Sequence, residues 1–179
     1  MGRRSREKST PAGLRVGVFG GTFDPVHFGH LRCVEEAREA LGLQRVLLIP
    51  AADPPHKRGR SITPARHRLA MLRRAVRGHP PFRVSTVEIA RAGPSFTIDT
   101  LRQLAESHPH WKLTLLMGLD AFAEIHTWKE HGALFDQVDI GVLSRPFAGA
   151  RRGKSASDRL ALLPVAVRDH FRYAARQGV

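Results

Sequence analysis

Short apolar runs alternate with amphipathic stretches along this chain of 179 residues. Runs rich in valine, leucine and isoleucine predict strands at 14–20, 45–50, 82–89, 111–118 and 137–144. Helical spacing of apolar residues predicts helices between them, at 31–41, 63–78, 96–108 and within 120–135. Thr63 is the expected N-cap of the second helix, with Pro64 in its first turn. This alternation predicts an α/β fold of the doubly wound, Rossmann-like type, with a five-stranded parallel sheet and helices on both faces.

Turn-forming and ionisable residues collect directly after each predicted strand. The segments are GGTFDPVHFGH (20–30), AADPPHKRGR (51–60), ARAGPSFTIDT (90–100), GLD (118–120) and SRP (144–146). In open α/β sheets, ligands bind outside the carboxyl ends of the strands. Segments that carry Gly, His, Lys, Arg and Asp at one rim therefore predict a site for a phosphorylated ligand.

The first of these segments has the chemistry of a phosphate site. Gly20 and Gly21 let the backbone approach a phosphate closely, because no Cβ stands in the way. A helix is expected to begin at Gly29 and His30, and its free N–H groups favour an anion. His27 and His30 are three residues apart and can both donate to phosphate oxygens. Surface or packing histidines are the alternative, and a zinc site would have only these two ligands. The segment is neither a GxGxxG fingerprint nor a P-loop.

The composition narrows the class of partner. A net charge of +13 favours nucleic acid or phosphorylated small molecules, but aromatic side chains that could stack on bases make up only 7% of the chain. We therefore expect no nucleic-acid partner. No apolar run approaches the length of a membrane span, and residues 1–13 are expected to form a mobile basic tail rather than a secretory signal. The single cysteine, Cys33, excludes an intrachain disulfide and fits a cytoplasmic protein.

Several motifs together resemble a known enzyme family. GGTFDPVHFGH resembles the HxGH element of the nucleotidyltransferase superfamily, and it follows a first strand, as that element does. IPAADPPHK (49–57), GPSFTIDTL (93–101), MGLDAF (117–122), Trp128 and LSRP (143–146) follow in the order and approximate spacing of bacterial nicotinate-nucleotide adenylyltransferases. The resemblance runs from about residue 14 to residue 146.

The resemblance implies adenylyl transfer from ATP to nicotinate mononucleotide, which gives nicotinate adenine dinucleotide and pyrophosphate in NAD biosynthesis. The phosphate of the mononucleotide attacks the α-phosphorus of ATP, so catalysis consists of positioning and charge stabilisation. Magnesium is expected to arrive on the triphosphate of ATP rather than at a metal site of the protein.

The resemblance also implies a role for each motif. The catalytic pair is His27 and His30, which hold the triphosphate. The expected nucleotide-binding residues are Gly20, Gly21, Thr22, Phe23, Gly118, Asp120 and Arg145. The expected residues for the mononucleotide are His56, Lys57, Ser95, Phe96, Thr97 and Trp128, with Trp128 stacked on the pyridine ring. Without the family motifs, Asp120 could be a helix N-cap, Ser95 a capping residue and Trp128 a core residue.

One family motif has no good match. The family usually carries a late segment close to ISSTxIR, and the nearest candidate, LLPVAVR (162–168), keeps Arg168 but lacks the hydroxyl residues. We expect residues 14–179 to be a single nucleotidyltransferase domain that lacks its C-terminal closing segment. The alternatives are a naturally weakened nucleotide-binding variant, or a related HxGH enzyme such as phosphopantetheine adenylyltransferase. The sequence is compatible with a homo-oligomer and predicts no membrane partner.

Overall fold

The computed structural model describes residues 13–54 and 61–143. Its strands form one parallel sheet and are β1 Leu14–Gly21, β2 Arg45–Pro50, β3 Phe82–Val84, β4 Trp111–Gly118 and β5 Asp139–Leu143. The strand order is β3-β2-β1-β4-β5. The helices are α1 Phe28–Ala40, α2 Ala65–Ala75, α3 Thr97–Ser107, α4 Leu119–Ala123 and α5 His131–Gln137, with a 3₁₀ helix at Ile125–Thr127. The predicted doubly wound parallel sheet is confirmed.

The central strands are buried on both faces because their side chains alternate between two apolar clusters. Val16 and Val18 of β1 pack in the cluster that holds Leu101 of α3. Phe19 packs on the opposite side, with Val34 of α1. Side chains at successive strand positions point to opposite faces, so a continuous apolar run fills both layers.

This arrangement locates the crevice where a ligand can bind. The helices α1 and α2 contribute to one apolar cluster, whereas α3, α4 and α5 contribute to the other. The chain therefore changes faces between β1 and β4, which are adjacent in the sheet. In doubly wound sheets, the ligand crevice lies at this switch point, outside the carboxyl ends of the two strands.

The third predicted strand is too long, since only 82–84 of the predicted 82–89 pair in the sheet. The Ser85 N–H still donates to the Leu48 carbonyl at 3.0 Å, but the Ser85 hydroxyl accepts the Val87 N–H at 3.3 Å. Serine hydroxyls that bond nearby backbone compete in this way with strand pairing. The chain then turns, and the Ala90 N–H donates to the Thr86 carbonyl at 2.9 Å.

The helical region predicted within 120–135 is divided into α4, the 3₁₀ helix and α5. Glu130, at the start of α5, has a left-handed backbone with φ of 49°, which no continuous right-handed helix can include. The fifth strand is shorter than predicted. Helix α1 begins at Phe28, one residue before the start expected at Gly29.

The predicted N-cap role of Thr63 is wrong. The cap position of α2 is Pro64, and no side chain caps this helix. Thr63 instead uses its backbone, because its N–H donates to Asp24 Oδ2 at 2.8 Å and its carbonyl accepts from Arg68 Nε at 2.7 Å. The contact with Asp24, 39 residues away in the chain, is one that local sequence does not reveal.

Several predictions lie outside the described residues. They concern the basic tail, His56, Lys57, Arg145 and the segment that contains Arg168. In the part of the chain that the structure describes, no helix is long and apolar enough to cross a membrane. Cys33 is half-buried in α1 and unbridged.

Candidate active site

Glycines at the ends of two adjacent strands open the crevice. A Cβ added at Gly20 of β1 or at Gly118, the last residue of β4, would meet no atom within 4 Å. Gly20 is exposed at the rim, although it still pairs with Ile49 of β2. The predicted reason for Gly20, room for a phosphate against the backbone, is compatible with this open space.

Phe23 forms the floor under the histidines. Its side chain is 2% exposed, and its ring centroid lies 5.8 Å from that of Phe19 and 5.4 Å from that of His30. A Cβ on Gly21 would lie 3.3 Å from the Phe23 ring, so glycine leaves space for this ring. The backbone of Phe23 is left-handed, with φ of 51°, which is unfavourable for a bulky residue and needs support from its surroundings.

His27 and His30 form a stacked pair at the start of α1. Their ring centroids lie 3.7 Å apart, with an angle of 26° between the rings. His27 is the N-cap residue, and its backbone N–H donates to His30 Nδ1 at 3.3 Å. Because Nδ1 accepts this hydrogen bond, the proton of neutral His30 resides on Nε2. The motif pair thus presents imidazoles beside the N–H groups of a helix start, an arrangement that favours an anion.

Gly29 makes room for the His27 side chain. A Cβ on Gly29 would lie 3.0 Å from His27 Nδ1 and 3.1 Å from His27 Cε1. These distances are shorter than ordinary van der Waals contacts, so a larger residue would displace the ring by a few tenths of an ångström. The glycine of the HFGH segment therefore leaves the space that the His27 ring occupies.

A buried arginine ties this loop to α2. Arg68 is 1% exposed, and its Nη1 donates to the Thr22 carbonyl at 2.7 Å while its Nε donates to the Thr63 carbonyl at 2.7 Å. Burial lowers the pKa of the Arg68 guanidinium from its ordinary value, whereas the Asp24 carboxylate acts in the opposite direction. Arg68 was not among the predicted site residues. The sequence feature that could have revealed it is its spacing, because a charged residue four positions before Leu72 lies on the buried face of α2.

The Ser95–Thr97 segment begins α3, as predicted, but its polar groups are partly occupied. The Ser95 hydroxyl accepts the Ala52 N–H at 3.0 Å, and the Ser95 N–H donates to the Asp53 carbonyl at 3.0 Å. The Phe96 N–H donates to the Pro94 carbonyl at 3.1 Å. Ser95 therefore holds the loop after β2 instead of capping the helix. Of the three residues predicted to donate to the nicotinate carboxylate, Thr97 is the first residue of α3. No side chain caps this helix.

The segment that carries Trp128 is held against the start of α3 by charge. Lys129 Nζ lies 3.0 and 3.1 Å from the two carboxylate oxygens of Asp99, in the first turn of α3. It also lies 5.1 Å from the centroid of the Phe96 ring. Trp128 itself is half-buried and packs on the edge of the apolar cluster below. The structure thus brings together the neighbourhoods of Phe96 and Trp128, which the resemblance assigned to one ring-binding site.

A buried carboxylate supports the same helix from below. Glu88 is 6% exposed, and Thr100 Oγ1 donates to its Oε1 at 2.8 Å. Arg91 Nη2 donates to Thr100 Oγ1 at 3.1 Å. This chain of contacts fixes the first turn of α3 on the segment before it. These contacts were not predicted from the sequence, because Glu88 lies in a stretch predicted to be strand.

Gly118 and Asp120 lie where α4 leaves β4. Gly118 is the N-cap residue, so Asp120 is not the cap; it is exposed in the first turn. An exposed carboxylate at the rim of the crevice is free to accept sugar hydroxyls, as the resemblance implied.

Comparison with known proteins identifies the family. A family model described as cytidylyltransferase-like matches residues 18–173. The chain belongs to the cytidylyltransferase-like family. The predicted enzyme class, a nucleotidyltransferase, and the resemblance to bacterial nicotinate-nucleotide adenylyltransferases are confirmed.

Curated relatives cover most of this chain. A "Probable nicotinate-nucleotide adenylyltransferase" from Symbiobacterium thermophilum is 43% identical over 159 residues, which cover 84% of this chain and 76% of the relative. A relative of the same description from Desulfatibacillum aliphaticivorans is 48% identical over 138 residues, which cover 77% of this chain and 63% of the relative. The match thus leaves about a quarter of the first relative and more than a third of the second uncovered.

A solved structure supports the fold. The Plasmodium falciparum nicotinic acid mononucleotide adenylyltransferase complexed with NaAD matches with a TM-score of 0.62 at 13% identity, covering 87% of this chain and 93% of that chain. At this identity, the likeness shows that the two chains share a fold.

Proposed function

We propose that the chain transfers the adenylyl group of ATP to nicotinate mononucleotide. The mononucleotide phosphate oxygen forms a bond to the α-phosphorus of ATP, the bond from that phosphorus to the bridging oxygen of the β-phosphate breaks, and pyrophosphate leaves. ATP enters as its magnesium complex, so the metal is part of the substrate. The stacked pair of His27 and His30 above the open ends of β1 and β4 carries this proposal.

The histidines act on charge rather than as nucleophiles. An in-line attack by a substrate oxygen needs no covalent protein intermediate, and the negative charge that develops on the phosphate oxygens is stabilised by preorganised donors. His30 is oriented for this task, because the His27 N–H occupies its Nδ1 and leaves the proton on Nε2. Loss of one such donor costs on the order of 3 kcal/mol of transition-state stabilisation.

The pyridine ring binds at the start of α3. The Thr97 N–H donates to the nicotinate carboxylate, and the positive end of the helix dipole adds to the attraction. Trp128 stacks on the ring, and Lys129 holds its segment in place through Asp99. Gly118 and Asp120 bind the ribose of ATP. His56, Lys57 and Arg145 supply further contacts to phosphate in this proposal.

The test supplies several acceptors to the purified chain. With ATP and magnesium present, pyrophosphate release is followed with nicotinate mononucleotide, nicotinamide mononucleotide or phosphopantetheine. We expect release with nicotinate mononucleotide and weaker release with the nicotinamide form. A preference for phosphopantetheine would move the chain to a sister enzyme, and no release with any acceptor would contradict an active transferase.

A further inference from the structure

Arg68 is a buried charge that the chemistry above does not use. With 1% of its surface exposed, it has lost nearly all contact with water. A desolvated cation persists only where partners satisfy its donors, and removing one partner of such an arrangement is strongly destabilising. Its position on α2, rather than on the loop that carries the histidines, raises the question of what this charge does.

Its partners join two segments that are far apart in sequence. One guanidinium donates to the carbonyls of Thr22 and Thr63, each at 2.7 Å. The Thr63 N–H donates in turn to Asp24 Oδ2 at 2.8 Å. A planar guanidinium donates from different nitrogens in fixed directions, so it sets the angle between the two carbonyls. A lysine ammonium can keep the charge but lacks this fixed fork.

The bond to Thr22 fixes the orientation of one peptide plane. The Thr22–Phe23 peptide is trans, so the Phe23 N–H points away from the Thr22 carbonyl and hence away from Arg68. Phe23 has φ of 51°, an unfavourable value for a phenylalanine. Rotation of this peptide plane by half a turn would bring the φ of Phe23 to a negative value, which L-residues favour. The unfavourable orientation therefore needs a partner that holds it, and Arg68 is that partner.

The same peptide supports the catalytic pair. The Phe23 ring lies 5.4 Å from the His30 ring, which stacks on His27 at 3.7 Å. We propose that Arg68 is a positioning residue that holds the Thr22–Phe23 peptide, so that Phe23 supports the His30 ring for adenylyl transfer. This inference rests on the proposed function, because His30 is taken as the group that meets the triphosphate.

The experiment compares Arg68→Lys and Arg68→Gln with the exposed control Arg66→Lys on the same helix. We expect both Arg68 variants to lower kcat by about 10- to 100-fold per folded molecule, since displacement of about 1 Å at a reacting centre has this effect. Lysine should retain more stability than glutamine because it keeps the charge. Arg66→Lys should leave kcat unchanged.

A double variant separates positioning from a merely structural role. In a His30→Ala background, Arg68→Lys should lower kcat less than about threefold, because its effect passes through the missing imidazole. An equal reduction with and without His30 would overturn the inference. So would a normal kcat in Arg68→Lys after correction for the folded fraction.

A second readout does not depend on activity. The ¹⁵N chemical shifts of the His30 ring report its tautomer, and Nε2–H is expected in the wild type and in Arg66→Lys. In Arg68→Lys or Arg68→Gln, the shifts should move toward an average of the two tautomers. Unchanged ¹⁵N shifts in the Arg68 variants would contradict the positioning role of Arg68, whether or not the wild type is active. A wild type that transfers no adenylyl group would count only against the proposed function.

Discussion

Replacing Gly29 by alanine should change the position of the His27 ring while sparing the helix that carries it. The new Cβ would lie 3.0 Å from His27 Nδ1 and 3.1 Å from Cε1, so the ring must shift or rotate. An off-rotamer side chain costs about 0.5–1.5 kcal/mol. Alanine in place of a helical glycine contributes up to about 1 kcal/mol in the opposite direction. The free energy of unfolding should therefore stay within about 1 kcal/mol of the wild type.

Activity should respond differently from stability. A shift of a few tenths of an ångström at His27 is expected to lower kcat about three- to tenfold, since larger displacements near 1 Å cost about 100-fold. Thermal unfolding and steady-state pyrophosphate release on the same preparation would give both quantities. The expected pattern is a stable protein with reduced turnover.

The chain contains a matched control. Gly132 is the second residue of α5, as Gly29 is of α1, and a Cβ there would meet nothing within 4 Å. Gly132→Ala should raise stability by about 0.5–1 kcal/mol without changing kcat. The reasoning fails if Gly29→Ala is as active as Gly132→Ala, because the His27 ring would then tolerate the added methyl group.

Two further predictions concern charged pairs. Hydrogen bonds from Arg38, and to a smaller extent from His79, lower the pKa of Glu35. The ionised carboxylate therefore stabilises the fold at pH values above the pKa that Glu35 has in the unfolded chain. This contribution is lost as the pH falls through the lowered pKa of the folded state. Glu35→Gln should therefore lower the melting temperature at pH 7, and the difference should shrink as the pH falls through the lowered pKa of Glu35. A difference independent of pH would contradict this origin. Lys129→Met should leave the Asp99 charge unneutralised. We expect the ratio of kcat/KM for nicotinate mononucleotide to that for nicotinamide mononucleotide, measured by competition, to fall about three- to tenfold. An unchanged ratio would count against binding of the nicotinate carboxylate at the start of α3.

The layers of this fold could be predicted from hydrophobic pattern alone. The strands 45–50 and 111–118 have the predicted bounds, because both are central strands with apolar side chains on both faces. The third strand is shorter than predicted, because a serine hydroxyl and a buried glutamate take the chain out of the sheet. Such contacts join residues that only the fold brings together.

In the candidate site, too, the residues recognised by local spacing could be predicted, whereas those that act through contacts between segments could not. His27, His30 and the glycines around them could be found from the sequence, since their chemistry depends on spacing within one turn of a helix. Arg68 could not be given a role, because its acceptors lie in other segments, one of them 46 residues away. Ser95 was found, but its hydroxyl is used by the loop after β2.

Formation of nicotinate adenine dinucleotide by His30→Ala tests directly whether the imidazole pair stabilises the transfer. The rate would be measured by mass-resolved product formation from ATP and nicotinate mononucleotide, beside the wild type and Phe28→Ala, whose side chain is 90% exposed in the same helical turn. We expect His30→Ala to lower kcat at least about 100-fold, whereas Phe28→Ala keeps the wild-type rate. A His30→Ala rate within threefold of the wild type would contradict the account, because the transfer would then proceed without the imidazole pair.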